Sequence, residues 1–169
     1  MPLLELLSLP AATAAGWGLA VTFVGCVFLV MTKRWHGKVS MDEAQGIQKF
    51  HTAPTPRVGG VPIVLGLWVA WLNAEQSLQE IVLPILIAGM PAFLFGFAED
   101  ITKRVSVLQR LLATFASGVL AWYITDYSLI RVDVWGVDSL LKITFISVIF
   151  TAFAVGGVAN SINIIDGFN

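Results

Sequence analysis

The fold of this chain is decided by residues 81–104, IVLPILIAGMPAFLFGFAEDITKR, where an apolar run meets a charged cluster. The run is close to the roughly 20 residues that a helix needs to cross a bilayer. Glu99 and Asp100 end the run, and Lys103 and Arg104 follow within about one turn. Ionisable groups are costly at membrane depth and usually have a function there. This stretch therefore predicts a transmembrane helix that delivers two adjacent carboxylates to a membrane surface.

Composition extends this prediction to the whole chain. The 169 residues are 57% hydrophobic and only 12% charged, whereas soluble domains are about half apolar and about a quarter charged. The formal net charge is -1, and no nucleic-acid partner is predicted. The single cysteine, Cys26, excludes an internal disulfide. We therefore predict an all-α polytopic membrane protein, a single integral membrane domain with the lipid bilayer as a partner.

Five apolar runs are predicted to cross the membrane as helices. They cover residues 12–31, 59–73, 81–98, 107–127 and 140–165. Residues 128–138 differ, because β-branched residues and a closing glycine there favour a short β-hairpin on the outer face. Seven of the ten Lys and Arg residues lie in the loops after the first and third runs, and an eighth, Arg110, lies at the start of the fourth run beside the second of these loops. Because cytoplasmic loops carry the excess of these residues, the N-terminus is predicted outside, with loops 32–58 and 99–106 cytoplasmic.

This orientation brings three polar stretches to the cytoplasmic face: HTAPTPRVGG at 51–60, GFAED at 96–100 and NSINIIDG at 160–167. In the first, two prolines stiffen the loop and a glycine pair allows close approach of the backbone to a ligand. Arg57 in the same loop offers a planar fork suited to phosphate. The alternative is that the glycine pair only begins the second helix.

The acidic pair has two interpretations. Adjacent carboxylates repel each other and lose solvation at a membrane surface, so a cation, a metal ion or a shared proton is expected beside Glu99 and Asp100. Mg²⁺ suits the pair, because it is usually held by one or two carboxylates together with phosphate oxygens. Alternatively, Glu99 pairs with Lys103 one turn later and Asp100 is merely solvated. The spacing leaves both interpretations open.

A polar stripe in the last apolar run also has two interpretations. Asn160, Asn163 and Asp166 recur every three residues, which places them within about 120° of one helix face. Such groups are costly in a membrane unless they meet polar partners, as they would in a functional site. The alternative is that the asparagines hold helices together by hydrogen bonds. Ala152 and Gly156, small residues four apart, favour close helix packing here.

Together, the three stretches resemble the bacterial polyprenyl-phosphate N-acetylhexosamine 1-phosphate transferases, also called glycosyltransferase family 4. The match rests on residues 51–60, on 96–100 followed by Gln109-Arg110-Leu111, and on 160–169. Within this family, the sequence is similar in particular to the branch that uses UDP-N-acetylglucosamine and undecaprenyl phosphate to start O-antigen, lipopolysaccharide or other cell-envelope glycans.

The resemblance implies an activity and its location. It implies transfer of a sugar 1-phosphate from a UDP-N-acetylhexosamine to undecaprenyl phosphate, with Mg²⁺ as cofactor and Mn²⁺ as an alternative. The enzyme would be a multi-pass protein of the bacterial inner membrane with a cytoplasmic active face. A homodimer is compatible with the sequence.

The resemblance also implies residue roles. It assigns catalysis to Glu99 and Asp100, and metal binding to Asp100 and Asp166. It assigns substrate binding to Asn160, Asn163 and Asp166, and the need to neutralise phosphate charge adds Arg57, Lys103 and Arg104 as substrate-binding residues. The chain departs from the family at two of these motifs, because the family often has Asp-Asp at the acidic pair and a further Asp where this chain has Asn169. The longer Glu99 side chain can still accept a proton or approach a metal.

A larger departure concerns length. Members of this family have about twice as many spans, and their later loops carry another metal-binding Asp and a histidine-rich motif. We therefore expect this chain to be the N-terminal half of such an enzyme, inactive alone. Two other classes stay open. An ion-coupled transporter subunit would place its carboxylates near mid-membrane, and in an inactive membrane scaffold the asparagine stripe would only pack helices.

Overall fold

The computed structural model describes residues 9–33 and 58–166. These residues form six helices and, among them, no strand. The helices are α1 (Leu9–Met31), α2 (Gly60–Leu72), α3 (Gln76–Thr102), α4 (Val107–Thr125), α5 (Val137–Leu141) and α6 (Thr144–Asp166). The all-α prediction is confirmed for this part of the chain. Most of the 51–60 loop, including Arg57, lies outside the described residues, as does Asn169.

All five apolar runs predicted from the sequence are helical, and four of these helices are long and apolar enough to cross a bilayer. The four are Pro10–Met31, Gln76–Thr102, Val107–Thr125 and Thr144–Ile162. The fifth, α2, has 13 residues, about 20 Å of helix against a hydrocarbon core of about 30 Å. Large apolar side chains on these helices are exposed, Phe23 at 70% and Phe153 at 65%, as lipid-facing side chains are. The chain is a multi-pass membrane protein.

The β-hairpin predicted at 128–138 is wrong. Residues 128–136 form an irregular loop, and α5 begins at Val137. Two backbone N–H groups of this segment are instead satisfied by side chains. The Leu129 N–H donates to Thr151 Oγ1 at 2.8 Å and the Val132 N–H donates to Asp138 Oδ1 at 2.8 Å. The last long helix accordingly starts at Thr144 rather than at the predicted residue 140.

Ser147 fastens this loop to α6. Its side chain is fully buried, and its Oγ donates to the Leu129 carbonyl at 2.8 Å and lies 2.7 Å from Ser128 Oγ. Ser147→Ala removes these bonds and leaves the carbonyl without that donor, so we expect the free energy of unfolding to fall by about 1–2 kcal/mol. Thermal unfolding in detergent checks this. Ser161→Ala is the matched control, because the Ser161 hydroxyl is exposed and only donates to the Gly157 carbonyl of its own helix.

The chain divides into two compact units. The first holds α1, α2 and α3 as far as Leu86, together with Asp100–Thr102. The second holds Ile87–Glu99 of α3 and the chain from Lys103 onward.

Small residues let α1 and α2 pack closely in the first unit. A Cβ atom on Gly66 would contact the Thr22 side chain and lie 2.5 Å from the Gly18 carbonyl oxygen. A Cβ on Gly25 would lie 2.8 Å from the Pro62 side chain. The Thr22 hydroxyl also donates to the Pro62 carbonyl at 3.3 Å. Small side chains that allow close backbone approach are the usual means of helix association in membranes, and here they set an antiparallel pair.

Small residues also set the packing of α4 against α6 in the second unit. A Cβ on Gly118 would lie 2.7 Å from the Ala152 Cα, and one on Gly156 would meet the Phe115 ring. The order of these contacts makes α4 and α6 antiparallel. The close packing expected from Ala152 and Gly156 is confirmed.

The second half of α3 joins α4 by a polar contact. The Ala92 N–H donates at 3.1 Å to the hydroxyl of Ser117, whose residue is only 5% exposed. This hydrogen bond follows Pro91 in sequence, where α3 lacks a backbone donor because proline has no N–H. The hydrogen bond between Ala92 and Ser117 fixes the register of α3 against α4. It therefore also fixes which residues of the two helices face each other near the turn that joins them.

Candidate functional site

The turn between α3 and α4 is fixed at both of its ends. The Lys103 backbone has a left-handed φ of 54°, which ends α3, and its N–H donates to the Glu99 carbonyl at 2.7 Å. On the other side, Ser106 Oγ accepts the Gln109 N–H at 3.2 Å, and Gln109 Oε1 accepts the Ser106 N–H at 2.8 Å. This reciprocal capping box satisfies two otherwise unpaired backbone donors at the start of α4. The turn is therefore short and well defined.

This turn brings Arg110 of α4 against Glu99 of α3. Arg110 Nη1 lies 2.7 Å from Glu99 Oε2, and the two side chains are only 26% and 24% exposed. A short contact between ionised groups is a charge-assisted hydrogen bond, stronger than a neutral one. The rule that opposite charges one helical turn apart form pairs predicts Lys103 as a partner of Glu99, and it does not predict Arg110. The available signal was a cation in the first turns of an otherwise apolar helix.

The rest of the charged cluster surrounds this ion pair in sequence. Asp100 is half-buried, whereas Lys103 and Arg104 are exposed. All of them lie within the last turn of α3 or in the turn that follows it. Acidic and basic side chains are therefore concentrated at the end of a helix long enough to span a membrane, not in its middle.

The packing of α6 brings a further polar residue to the same end of the second unit. The antiparallel register sets Gly118 against Ala152 and Phe115 against Gly156. Continued by about one turn, this register brings Asn160 level with Arg110. The Asn160 side chain is half-buried.

Asn163 and Asp166 follow Asn160 on α6, whose helical backbone continues to Asp166. The positions of these two side chains lie outside the described residues, as does Arg57. The structure thus brings Glu99, Arg110 and Asn160 to one end of the second unit, and it does not describe the side chains of the other proposed ligands on α6.

The acidic pair offers oxygen donors of the kind that Mg²⁺ prefers. Among the side chains that the structure describes, which do not include that of Asp166, no group of three or more His, Cys, Asp or Glu is placed to hold a metal ion. One Glu99 oxygen is already bonded to Arg110. Mg²⁺ is commonly bound by one or two carboxylates with substrate phosphates completing its shell. The donors present therefore fit an ion shared with a phosphate ligand better than a cage made by the protein alone.

Comparison with known proteins gives a family match over the region that contains this site. The model of the family described as glycosyl transferase family 4 matches residues 82–169, which is just over half of the chain. That range includes Glu99, Arg110 and Asn160. No solved structure gives a significant match.

Curated relatives match over nearly the whole chain. A phospho-N-acetylmuramoyl-pentapeptide-transferase from Saccharopolyspora erythraea is 24% identical over 96% of this chain and 51% of its own length. Proteins of the same name from Caulobacter vibrioides and Bartonella quintana are each 28% identical, over 86% and 90% of this chain and 45% and 46% of their own lengths. The chain spans about half the length of the curated relatives it matches.

Proposed function

Because the chain belongs to glycosyl transferase family 4, we propose that it forms part of a membrane enzyme that transfers a sugar 1-phosphate. The donor in this proposal is a UDP-sugar of the N-acetylhexosamine type, and the acceptor is undecaprenyl phosphate. The products are a lipid-linked diphosphate sugar and UMP. The enzyme would act in the bacterial inner membrane with its active face in the cytoplasm.

One observation carries the proposal: Glu99, paired with Arg110, and Asn160 lie at one end of the group formed by α3, α4 and α6. One proposed substrate is a lipid and the other is soluble in water, so they can meet only at a membrane surface. A charged cluster at helix ends suits that meeting. It is less suited to an ion-coupled transporter, which needs its carboxylates nearer mid-membrane.

The proposed mechanism relies on positioning and on charge neutralisation, which dominate enzymatic phosphoryl transfer. Glu99 or Asp100 accepts a proton from the lipid phosphate or orients it. An oxygen of that phosphate then attacks the β-phosphorus of the UDP-sugar in line. The bond from this phosphorus to the oxygen bridging it to the α-phosphate breaks, and UMP leaves with that oxygen. Arg110 holds the Glu99 carboxylate in place through the 2.7 Å contact.

Two anionic substrates repel each other, so the site needs positive charge. Lys103 and Arg104 stand exposed beside the acidic pair and are proposed to contact phosphate oxygens, together with Arg57. Asp100 and Asp166 are the residues proposed to hold Mg²⁺, with Mn²⁺ as an alternative ion. When bound, such an ion would supply further neutralisation of the diphosphate.

The polar stripe on α6 is proposed to bind the nucleotide sugar. Asn160, level with Arg110, would contact the donor, and Asn163 and Asp166 would extend the contact along the same helix. The carboxamides can donate and accept hydrogen bonds, as recognition of a sugar or a base requires.

The transferred group has two candidates. The resemblance to the branch that starts O-antigen and lipopolysaccharide synthesis favours N-acetylglucosamine 1-phosphate. The name that the curated relatives share favours phospho-N-acetylmuramoyl-pentapeptide, and thus a role in cell-wall synthesis.

The test is a UMP-release assay on membranes that contain the full-length product of the gene encoding this chain. UDP-N-acetylglucosamine and UDP-N-acetylmuramoyl-pentapeptide are supplied separately, each with and without undecaprenyl phosphate. We expect Mg²⁺-dependent UMP release with one of the donors, and only when the lipid phosphate is present. Release from neither donor, combined with ion flux in proteoliposomes, would favour the transporter instead.

A further inference from the structure

A groove of about 650 Å³ runs along one side of the α1 and α2 pair in the first unit. Its walls include Trp17, Val24 and Phe28 of α1 and Pro62 and Leu65 of α2. Every residue that lines it is hydrophobic or glycine. Such a groove offers no partner to a polar ligand and fits a hydrocarbon chain.

The groove follows from the way the two helices pack. Gly18 and Gly66 bring the backbones together at the seam, while Trp17 and Phe28 project beside it. Ala20, which lies between Trp17 and Phe28 in sequence, also lines the groove, and its small side chain fills little of it. The groove is thus a consequence of small residues alternating with aromatic ones along α1.

The length of the groove matches one leaflet of a bilayer. Its lining on α1 runs from Trp17 to Leu29, which is about 18 Å of helix. One leaflet contributes about 15 Å of hydrocarbon, half of a core of about 30 Å. Most of the groove lies toward the C-terminal end of α1, so it would open to the lipid chains of the leaflet at that end.

A cation stands where the headgroup of such a lipid would lie. Lys33 follows α1 one turn beyond Leu29 and is exposed. A Lys near an anionic membrane surface contributes about 1 kcal/mol of attraction. The charge favours an anionic headgroup over a zwitterionic one.

We propose that the groove between α1 and α2 binds an acyl chain of an anionic phospholipid, with the phosphate of its headgroup beside Lys33. This lipid would be a bound partner and not a reactant, and the inference does not depend on the proposed transferase activity. None of the groove residues belongs to the charged cluster at the end of α3.

The test measures phospholipid that stays bound when the full-length protein is purified in mild detergent. Ala20→Trp fills the groove, and we expect it to lower the retained phospholipid at least five-fold. Ala15→Trp is the matched control, because Ala15 is exposed on the same helix and does not line the groove. It should retain as much lipid as the wild type.

A second variant tests the headgroup without altering the groove. In nanodiscs of phosphatidylglycerol mixed with phosphatidylcholine, Lys33→Gln is expected to lower the preference for phosphatidylglycerol about five-fold, the equivalent of about 1 kcal/mol.

Three results would overturn the proposal. The first is equal phospholipid retention by Ala20→Trp and wild type. The second is a change of oligomeric state in Ala20→Trp without loss of lipid, which would assign the groove to a second copy of the chain. The third is retention of undecaprenyl phosphate in place of phospholipid.

Discussion

Glu99→Gln and Asp100→Asn are each expected to lower the rate of UMP release by roughly 10²-fold to 10⁴-fold, the range typical of a lost general acid or base. Both substitutions keep the size of the side chain and remove its charge. They therefore remove proton acceptance and ion binding while preserving packing at the end of α3. The rate is measured with saturating donor and lipid phosphate in membranes that contain the full-length protein.

The matched control is Glu80→Gln. Glu80 lies near the other end of the same helix, where its exposed carboxylate only accepts a hydrogen bond from Gln76. We expect Glu80→Gln to leave the rate of UMP release within about two-fold of wild type, because it changes the surface far from the site. Undiminished release in both Glu99→Gln and Asp100→Asn would remove these carboxylates from the mechanism.

Substitutions at Arg110 distinguish two roles of the ion pair, positioning Glu99 for the reaction and stabilising the fold. If Arg110 positions Glu99 for the reaction, Arg110→Gln should lower the rate, and the double change with Glu99→Gln should be no worse than Glu99→Gln alone. A purely structural pair would instead show coupling in the free energy of unfolding and none in the rate. Rescue of part of the rate by Arg110→Lys would support positioning by charge.

Gly66→Ala is expected to lower the free energy of unfolding by about 1–3 kcal/mol, the usual cost of overpacking. The new Cβ would meet the Thr22 side chain and the Gly18 carbonyl oxygen. The carbonyl is backbone, so it cannot rotate away, and α1 and α2 would have to separate. This cost opposes the gain of about 1 kcal/mol that alanine brings to a helix interior.

The measurement is thermal unfolding in detergent, with Gly16→Ala as the control. A Cβ on Gly16 would have no atom within 4 Å, so that substitution should show only the gain in helix propensity. Equal stability of Gly66→Ala and Gly16→Ala would contradict the close helix contact.

Sequence reasoning found the helices because each apolar run carries its own signal. The long runs become α1, α3, α4 and α6, and the shorter 59–73 run becomes the short helix α2. The hairpin prediction at 128–138 is wrong because it rests on the β-branched residues alone and leaves out the side chains around them. The hydroxyl of Thr151 and the carboxylate of Asp138 satisfy that backbone, and no local pattern shows that they will.

The site was partly predictable for the same reason. The acidic pair is predictable because its charges come at the end of an apolar run. The partner of Glu99 is not predictable in this way, because the contact with Arg110 depends on how the turn at Lys103 and Ser106 folds. Gly156 packs against α4, and Asn160, one turn later, lies level with Arg110. The role of the asparagine stripe itself stays a prediction.

The proposed reaction requires that the acidic pair and the end of α6 face the cytoplasm together. Single cysteines at Lys103→Cys and Asp166→Cys, in a Cys26→Ala background, can be labelled with a membrane-impermeant maleimide, and Trp135→Cys marks the loop at the other end of α4. We predict that the first two react only in inside-out vesicles and the third only in right-side-out cells. Labelling of Lys103→Cys and Asp166→Cys from opposite faces would contradict the account.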